Sequence, residues 1–132
     1  MEVTGIHHLG IAVEDLESGI EQYRRLLGAE VGEIFIGGSG LMRASFLKVG
    51  GLAIELIQPL DPESNAAKIV AQRGYGISHL AVKVDDFDGA VAELRSQGVK
   101  FMNEPRTTSF GERAIFTDAS SLGRVNLEVM GE

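Results

Sequence analysis

The sequence contains no cysteine, which excludes disulfide bonds, thiolate metal ligands and a cysteine nucleophile. Any metal ion bound by this chain must therefore take nitrogen and oxygen ligands. The sequence also lacks an apolar run near the roughly 20 residues that a membrane span needs. Its first residues, Met1 to Thr4, do not show the basic-then-apolar layout of a signal peptide. We therefore expect a cytoplasmic protein that does not act at a membrane.

Positive charge is scarce and scattered: the net charge is −7, and no block of lysine or arginine occurs. Nucleic-acid binding needs clustered cations to neutralise phosphates, so we expect a small-molecule ligand and no nucleic acid. The 44% of hydrophobic residues are enough to form a core. No tract rich in proline, glycine or serine is long enough to separate two domains, so a single domain over residues 1–132 is expected.

The chain does contain an internal repeat. Residues 6–13, IHHLGIAV, return as residues 77–84, ISHLAVKV, and this repeat aligns His8 with His79. Each copy is followed by two acidic residues and then by a run of helical periodicity that ends in glycine. The chain is therefore predicted to consist of two copies of one supersecondary unit.

Each copy is predicted to be a βαβββ module, which makes the fold class α+β. Module one spans about residues 5–58 and module two about residues 77–132, and the linker over about residues 59–76 carries a short helix. The three strands that follow the helix of module two are expected at residues 99–103, 113–117 and 125–130.

Alternation along the repeated strands gives their two faces different compositions. His8 shares a face with Gly10 and Ala12, and larger apolar residues occupy the opposite face. His79 shares its face with Ala81 in the same way. Small residues beside a polar group leave room for a ligand, so this face is expected to line a cleft.

The last strand of each module places one glutamate in an apolar run, Glu55 in AIELI and Glu128 in NLEVM. If the apolar neighbours face the helix, both carboxylates face the cleft, where an unpaired charge is costly and a cation is expected. Taken singly, a strand histidine is more often a core residue and a strand glutamate an edge residue. Two histidines and two glutamates at matched positions favour instead a divalent ion such as Co, Mn, Ni, Zn or Fe.

These residues resemble the vicinal oxygen chelate superfamily of glyoxalases, bleomycin-resistance proteins and dioxygenases. Within it, the chain is most similar to the methylmalonyl-CoA epimerase family in three segments: HLGIAV at 8–13, IEL at 54–56 with Pro59-Leu60, and GYGISH at 74–79. The resemblance extends almost from end to end. It implies two βαβββ modules that form a cupped mixed sheet around a metal site, with ligands at His8, Glu55, His79 and Glu128.

The leading hypothesis is therefore a metal-dependent epimerase or isomerase that moves a proton at a carbon next to a carbonyl. Its substrate is expected to be methylmalonyl-CoA or a similar acyl thioester. Glu128 is the expected base, and Glu55 is the expected acid on the other face of the carbon. Arg43, Arg106 and Arg113 are candidates to bind a substrate carboxylate or phosphate. Modules of this kind often pair further, so a homodimer is expected.

Two departures from the epimerase pattern concern the reaction. Residues 118–121, DASS, stand where epimerases commonly have His-Pro-Lys-Ser, and no acid occurs near Arg43, where some epimerases place a second carboxylate. A glyoxalase I-like lactoylglutathione lyase is the first alternative, and the linker and the loop at residues 105–111 are the features that distinguish it. A dioxygenase is a further alternative, against which a fourth ligand at Glu55 argues. A non-catalytic binding protein of the antibiotic-resistance type is the last, and such proteins typically lack the ligand set.

Overall fold

The computed structural model describes residues 1–37 and 40–131. The elements in chain order are β1 (Val3–Ala12), α1 (Leu16–Leu27), β2 (Glu30–Gly37), β3 (Met42–Val49), β4 (Leu52–Pro59), α2 (Asn65–Arg73), β5 (Gly76–Val84), α3 (Phe87–Ser96), β6 (Arg106–Thr107), β7 (Arg113–Phe116) and β8 (Asn126–Gly131). Among the described helices, none is long and apolar enough to span a bilayer.

The chain divides into two compact units. The His8 unit comprises residues His8–Ser78, and the His79 unit comprises Met1–His7 and His79–Glu132. The start of β1 lies in the His79 unit, where the Thr4 hydroxyl donates a hydrogen bond of 3.3 Å to the Lys83 carbonyl. That the two units make one domain stays a prediction.

The two units have the same strand order. In the His8 unit the order is β2-β3-β4-β1, with β1 parallel to β4 and the other pairs antiparallel. In the His79 unit the order is β6-β7-β8-β5, with β5 parallel to β8 and the other pairs antiparallel. A helix follows the first strand of each set, so the predicted mixed sheet built of two βαβββ modules is confirmed.

The helices begin and end at residues whose local chemistry favours those positions. Asp15 Oδ2 accepts a hydrogen bond of 3.0 Å from the Ser18 amide at the start of α1, and Gly28 ends that helix at φ 64°. Asp86 caps α3 in the same way through the Gly89 amide. The acidic pairs after the two repeated strands therefore supply the caps that start the helices.

Each helix packs on the large-residue face of its own module. In the His8 unit, Ile11 of β1 and Val13, which directly follows this strand, pack against a buried cluster that contains Leu16 of α1. In the His79 unit, Val82 and Val84 of β5 belong to the buried cluster that contains Phe87 of α3. The predicted division of each repeated strand into a packing face and a histidine-bearing face is therefore confirmed.

One predicted strand is wrong. Residues 99–103 make only an isolated bridge between Phe101 and Thr117, and the short strand β6 lies instead in the segment predicted to be a polar loop. Backbone hydrogen bonds from the Met102 amide to the Phe116 carbonyl (2.8 Å) and from the Asp118 amide to the Lys100 carbonyl (2.9 Å) form this bridge. The pairing is not extended into a strand: the Phe116 amide donates to the Asn103 side-chain oxygen at 3.2 Å and is not paired with a backbone carbonyl. Pro105 follows, and it has no amide to donate.

Candidate functional site

His8 and Glu55 form a buried pair in the His8 unit. Glu55 lies directly opposite Gly10 across β1 and β4, and Gly10 shares a strand face with His8. The His8 Nε2 atom is 3.3 Å from Glu55 Oε1, and the two residues are 2% and 6% exposed. The parallel register and the missing side chain at Gly10 thus place the carboxylate beside the imidazole.

His79 and Glu128 form the matching pair in the His79 unit. Glu128 lies opposite Ala81 across β5 and β8, as Glu55 lies opposite Gly10. The His79 Nε2 atom is 3.4 Å from Glu128 Oε1, and both side chains are almost completely buried. The repeat seen in the sequence is therefore a repeat of side-chain geometry.

Each pair has a phenylalanine at the same position. Phe46 is the register partner of Glu55, and its ring meets the His8 ring edge-on, with centroids 5.2 Å apart and planes at 76°. Phe116 is the register partner of Glu128, and it meets the His79 ring at 4.8 Å and 81°. Edge-on contacts of this kind restrict how far a ring can turn. The two phenylalanines therefore help to hold the imidazoles in place.

The two units differ at the next position outward. Phe35 is the register partner of Ala44 in the His8 unit, and it stacks on Phe46 at 5.6 Å with planes at 15°. The corresponding residue of the His79 unit, opposite Ala114, is Arg106. Its guanidinium carbon lies 5.6 Å above the centre of the Phe116 ring. The Arg106 Nη2 atom also donates a hydrogen bond of 3.1 Å to Glu128 Oε2.

The other two candidate arginines pair with surface acids. Arg43 contacts Glu17 and is within 3.4 Å of the Gln58 side-chain oxygen, and the hydrogen bond to Glu17 raises the pKa of Arg43. Arg113 donates to Asp88 at 2.8 Å and lies over the ring of Phe87. Of the three arginines, Arg106 is the one that contacts a predicted site residue.

His7 lies on the opposite face of β1 from His8. Its Nε2 atom is 2.9 Å from Glu112 Oε2, and both side chains are partly exposed. The adjacent histidines of one strand thus face different surroundings because side chains alternate across a strand.

The donor set of the two pairs fits a divalent metal ion. Each pair offers an imidazole nitrogen and a carboxylate oxygen, which suit Zn, Co, Mn, Ni and Fe. His8, Glu55 and His79 are each candidates for metal ligation. Burial makes an uncompensated carboxylate costly, and a cation beside it offsets that cost.

Sequence reasoning missed the two phenylalanines and the partner of Arg106. The signal for Phe46 and Phe116 is that each lies in the strand before the strand that carries the glutamate, Phe46 within β3 and Phe116 at the end of β7. The contact of Arg106 with Glu128 has no signal of this kind, because it depends on the pairing of β6 with β7.

Comparison with known proteins places these features in a family. The profile of the Glyoxalase/Bleomycin resistance protein/Dioxygenase superfamily matches residues 7–116. An ethylmalonyl-CoA/methylmalonyl-CoA epimerase of Cereibacter sphaeroides is 32% identical over 114 residues, which cover 84% of this chain and 85% of the relative.

Solved structures of epimerases have the same fold. The crystal structure of methylmalonyl-CoA epimerase from Mycobacterium tuberculosis is 37% identical, with a TM-score of 0.84 over 98% of this chain and 88% of that one. A methylmalonyl-CoA epimerase in complex with methylmalonyl-CoA and NH4+ is 30% identical, with a TM-score of 0.86 over 99% and 96% of the two chains. The predicted vicinal oxygen chelate fold and the predicted similarity to epimerases are confirmed.

Proposed function

Because this chain belongs to the Glyoxalase/Bleomycin resistance protein/Dioxygenase superfamily, we propose that it is a metal-dependent epimerase that moves a proton at a carbon next to a carbonyl. The observation that carries the proposal is the buried His–Glu contact that recurs at matching positions of the two units. A binding protein without metal or catalysis has no need of two such pairs.

The proposed ligands are His8, Glu55, His79 and Glu128, which together hold one divalent ion (Co, Mn, Ni, Zn or Fe). Two imidazoles and two carboxylates are a suitable set for such an ion. When bound, it supplies Lewis-acid stabilisation of the negative charge on a substrate oxygen. Within each unit, the histidine and the glutamate of a pair are supplied by two neighbouring parallel strands, which are rigid elements, so the two ligands of a pair are held beside each other before any ion binds.

Proton transfer is assigned to the two carboxylates. Glu128 Oε1 removes the proton from the carbon, and the carboxyl group of Glu55 returns one on the opposite face. Strand β3 contains no acid that could serve instead, and its Arg43 is paired with Glu17. The acid is therefore assigned to Glu55, the carboxylate of the His8 unit that lies 3.3 Å from His8.

The proposed substrate is methylmalonyl-CoA or a similar acyl thioester. The support is the similarity to epimerases, one of which has been solved with methylmalonyl-CoA bound. The segment 118–121 differs from the common epimerase sequence. In this segment the Asp118 Oδ1 atom accepts hydrogen bonds from the Ser120 amide and the Ser120 hydroxyl, at 3.0 and 2.6 Å. A cytoplasmic location and a homodimer stay predictions.

Solvent-exchange measurements test the proposal. Methylmalonyl-CoA incubated with the metal-loaded protein in D2O is expected to gain deuterium at the carbon between its carbonyls. The Glu128→Gln variant is expected to lose this exchange by on the order of 100- to 10,000-fold, because it cannot accept the proton. Glu104→Gln is the control, since Glu104 is an exposed glutamate of the same unit. Full exchange by Glu128→Gln would reject Glu128 as the base.

The same samples test the alternatives. Turnover of the thiohemiacetal of methylglyoxal and glutathione, without exchange into methylmalonyl-CoA, would identify a glyoxalase-type activity. Oxygen consumption with ferrous ion would identify a dioxygenase. A protein that binds no metal and turns over none of these substrates would overturn the proposal in favour of a binding function.

A further inference from the structure

The carboxylate of Glu128 is held at both oxygens by different groups. Oε1 lies 3.4 Å from His79 Nε2, and Oε2 accepts a hydrogen bond of 3.1 Å from Arg106 Nη2. A guanidinium donor is planar and permanently charged, so this hydrogen bond is directional and charge-assisted. The side chain of Glu128 is 5% exposed and that of Arg106 is 32% exposed, so the arginine reaches the carboxylate from the edge of the buried region.

Arg106 is itself held in place by a second contact. Its guanidinium lies over Phe116, the same ring that meets His79 edge-on. A cation over an aromatic face is attracted to it and loses freedom of movement. Arg106, Phe116, His79 and Glu128 thus form a closed set of four contacts, in which moving the arginine disturbs the carboxylate and the ring that supports the histidine.

The other unit provides an internal comparison. At the position of Arg106 it has Phe35, which stacks on Phe46 and carries no charge. The two units are otherwise alike in register, in the His–Glu distances and in the edge-on ring contact. Arg106 is therefore not required by the fold of a module, because the same framework accommodates a phenylalanine there.

From these contacts we propose that Arg106 is a positioning residue: it anchors Glu128 by Oε2 and so directs Oε1 toward His79 as the oxygen that binds the metal and moves the proton. Groups that orient a metal ligand typically change metal affinity or activity by about 10- to 100-fold when removed. This inference rests on the proposed function. It adds that the two carboxylates are not equivalent, since one is anchored by a cation and the other lies beside an aromatic stack.

The test uses the Co(II)-loaded protein and the Arg106→Met variant. The visible absorption of bound Co(II) depends on the number and arrangement of its ligands and does not require turnover. We expect Arg106→Met to bind Co(II) about 10- to 100-fold more weakly, with an altered spectrum. Its kcat is expected to fall by a similar factor while KM changes little. Arg106→Lys, which retains one cationic donor, is expected to recover part of the spectrum and of kcat.

Arg95→Met is the matched control. Arg95 lies in the same unit, 5.4 Å above the Phe101 ring and 3.5 Å from Glu104, so it combines an aromatic face with a carboxylate away from the site. This variant is expected to keep the Co(II) spectrum of the unmodified protein. Should Arg106→Met fail to fold, Arg106→Lys and Arg106→Gln decide the same question.

The outcomes separate this inference from the function on which it rests. A Co(II) spectrum and kcat of Arg106→Met equal to those of Arg95→Met would overturn the inference and leave the proposed function standing. A rise in KM with an unchanged spectrum would assign Arg106 to substrate binding and also overturn it. A protein that binds no Co(II) would overturn the proposed function and the inference together.

Discussion

A Cβ atom on Gly32 would stand 2.6 Å from the carbonyl oxygen of Phe46. The close approach occurs where the pairing of β2 with β3 shifts register between Val31 and Ile34. The Ser45 hydroxyl adds a hydrogen bond of 2.8 Å to the Gly32 carbonyl. The irregular part of an outer strand thus lies against the backbone of Phe46, whose ring meets the His8 ring edge-on.

Gly32→Ala is therefore expected to destabilise the protein by about 1–3 kcal/mol, because the added methyl group must displace backbone. Urea unfolding followed by circular dichroism measures the change. Gly51→Ala is the control: a Cβ at Gly51 meets no atom within 4 Å, so its effect is expected to be small. Equal stabilities of the two variants would contradict the close approach.

Removal of either site histidine is expected to abolish stoichiometric metal binding. His8→Ala and His79→Ala each delete one nitrogen ligand of the proposed set, which elemental analysis after dialysis against Co(II) measures. Metal at 100 times its dissociation constant stabilises a folded protein by about 2.7 kcal/mol, so a chelator should lower the melting temperature of the loaded protein. Both variants should lack that response.

His7→Ala is the control for the histidine experiment. His7 is adjacent to His8 in the chain but faces Glu112, so the variant should keep both the metal and the chelator response. Loss of metal from this variant to the same extent as from His8→Ala would mean that the effect of His8→Ala is not specific to the site.

The cap of α1 predicts a pH dependence of stability. The hydrogen bond from Ser18 holds the pKa of Asp15 below its ordinary value of 3.8. A carboxyl with a lowered pKa in the folded state stabilises the fold above the pKa of the unfolded state, and this contribution is lost as the pH falls through the folded-state pKa. Asp15→Asn keeps a capping oxygen but cannot titrate, so its stability should fall less steeply below about pH 4.

Unfolding measured from pH 2 to 7 compares Asp15→Asn with Asp15→Ala and the unmodified protein. Asp15→Ala removes the capping oxygen and should be less stable than Asp15→Asn at neutral pH. If the free energies of unfolding of Asp15→Asn and of the unmodified protein fall equally steeply below pH 4, the titration of Asp15 does not contribute to the pH dependence of stability.

Much of the fold follows from local sequence patterns. The βαβββ order, the linker helix Asn65–Arg73 and the caps at Asp15 and Asp86 correspond to periodicity and capping residues that can be read without a structure. The four proposed ligands are predicted from the repeat, which places two histidines and two glutamates at matched positions. The strand predicted at residues 99–103 is reduced to a single bridge because the Phe116 amide donates to the Asn103 side-chain oxygen and not to a backbone carbonyl, and residue patterns do not reveal that exchange.

By itself, the sequence determined which residue types are available: two repeated strands with a histidine over small residues, and two glutamates in apolar strands. Only the tertiary structure decided which atoms meet. Strand register set Glu55 opposite Gly10 and Phe46, set Glu128 opposite Ala81 and Phe116, and brought Arg106 onto one carboxylate. The physical reason is that register is a property of paired strands, whereas alternation is a property of one strand and is visible in its sequence.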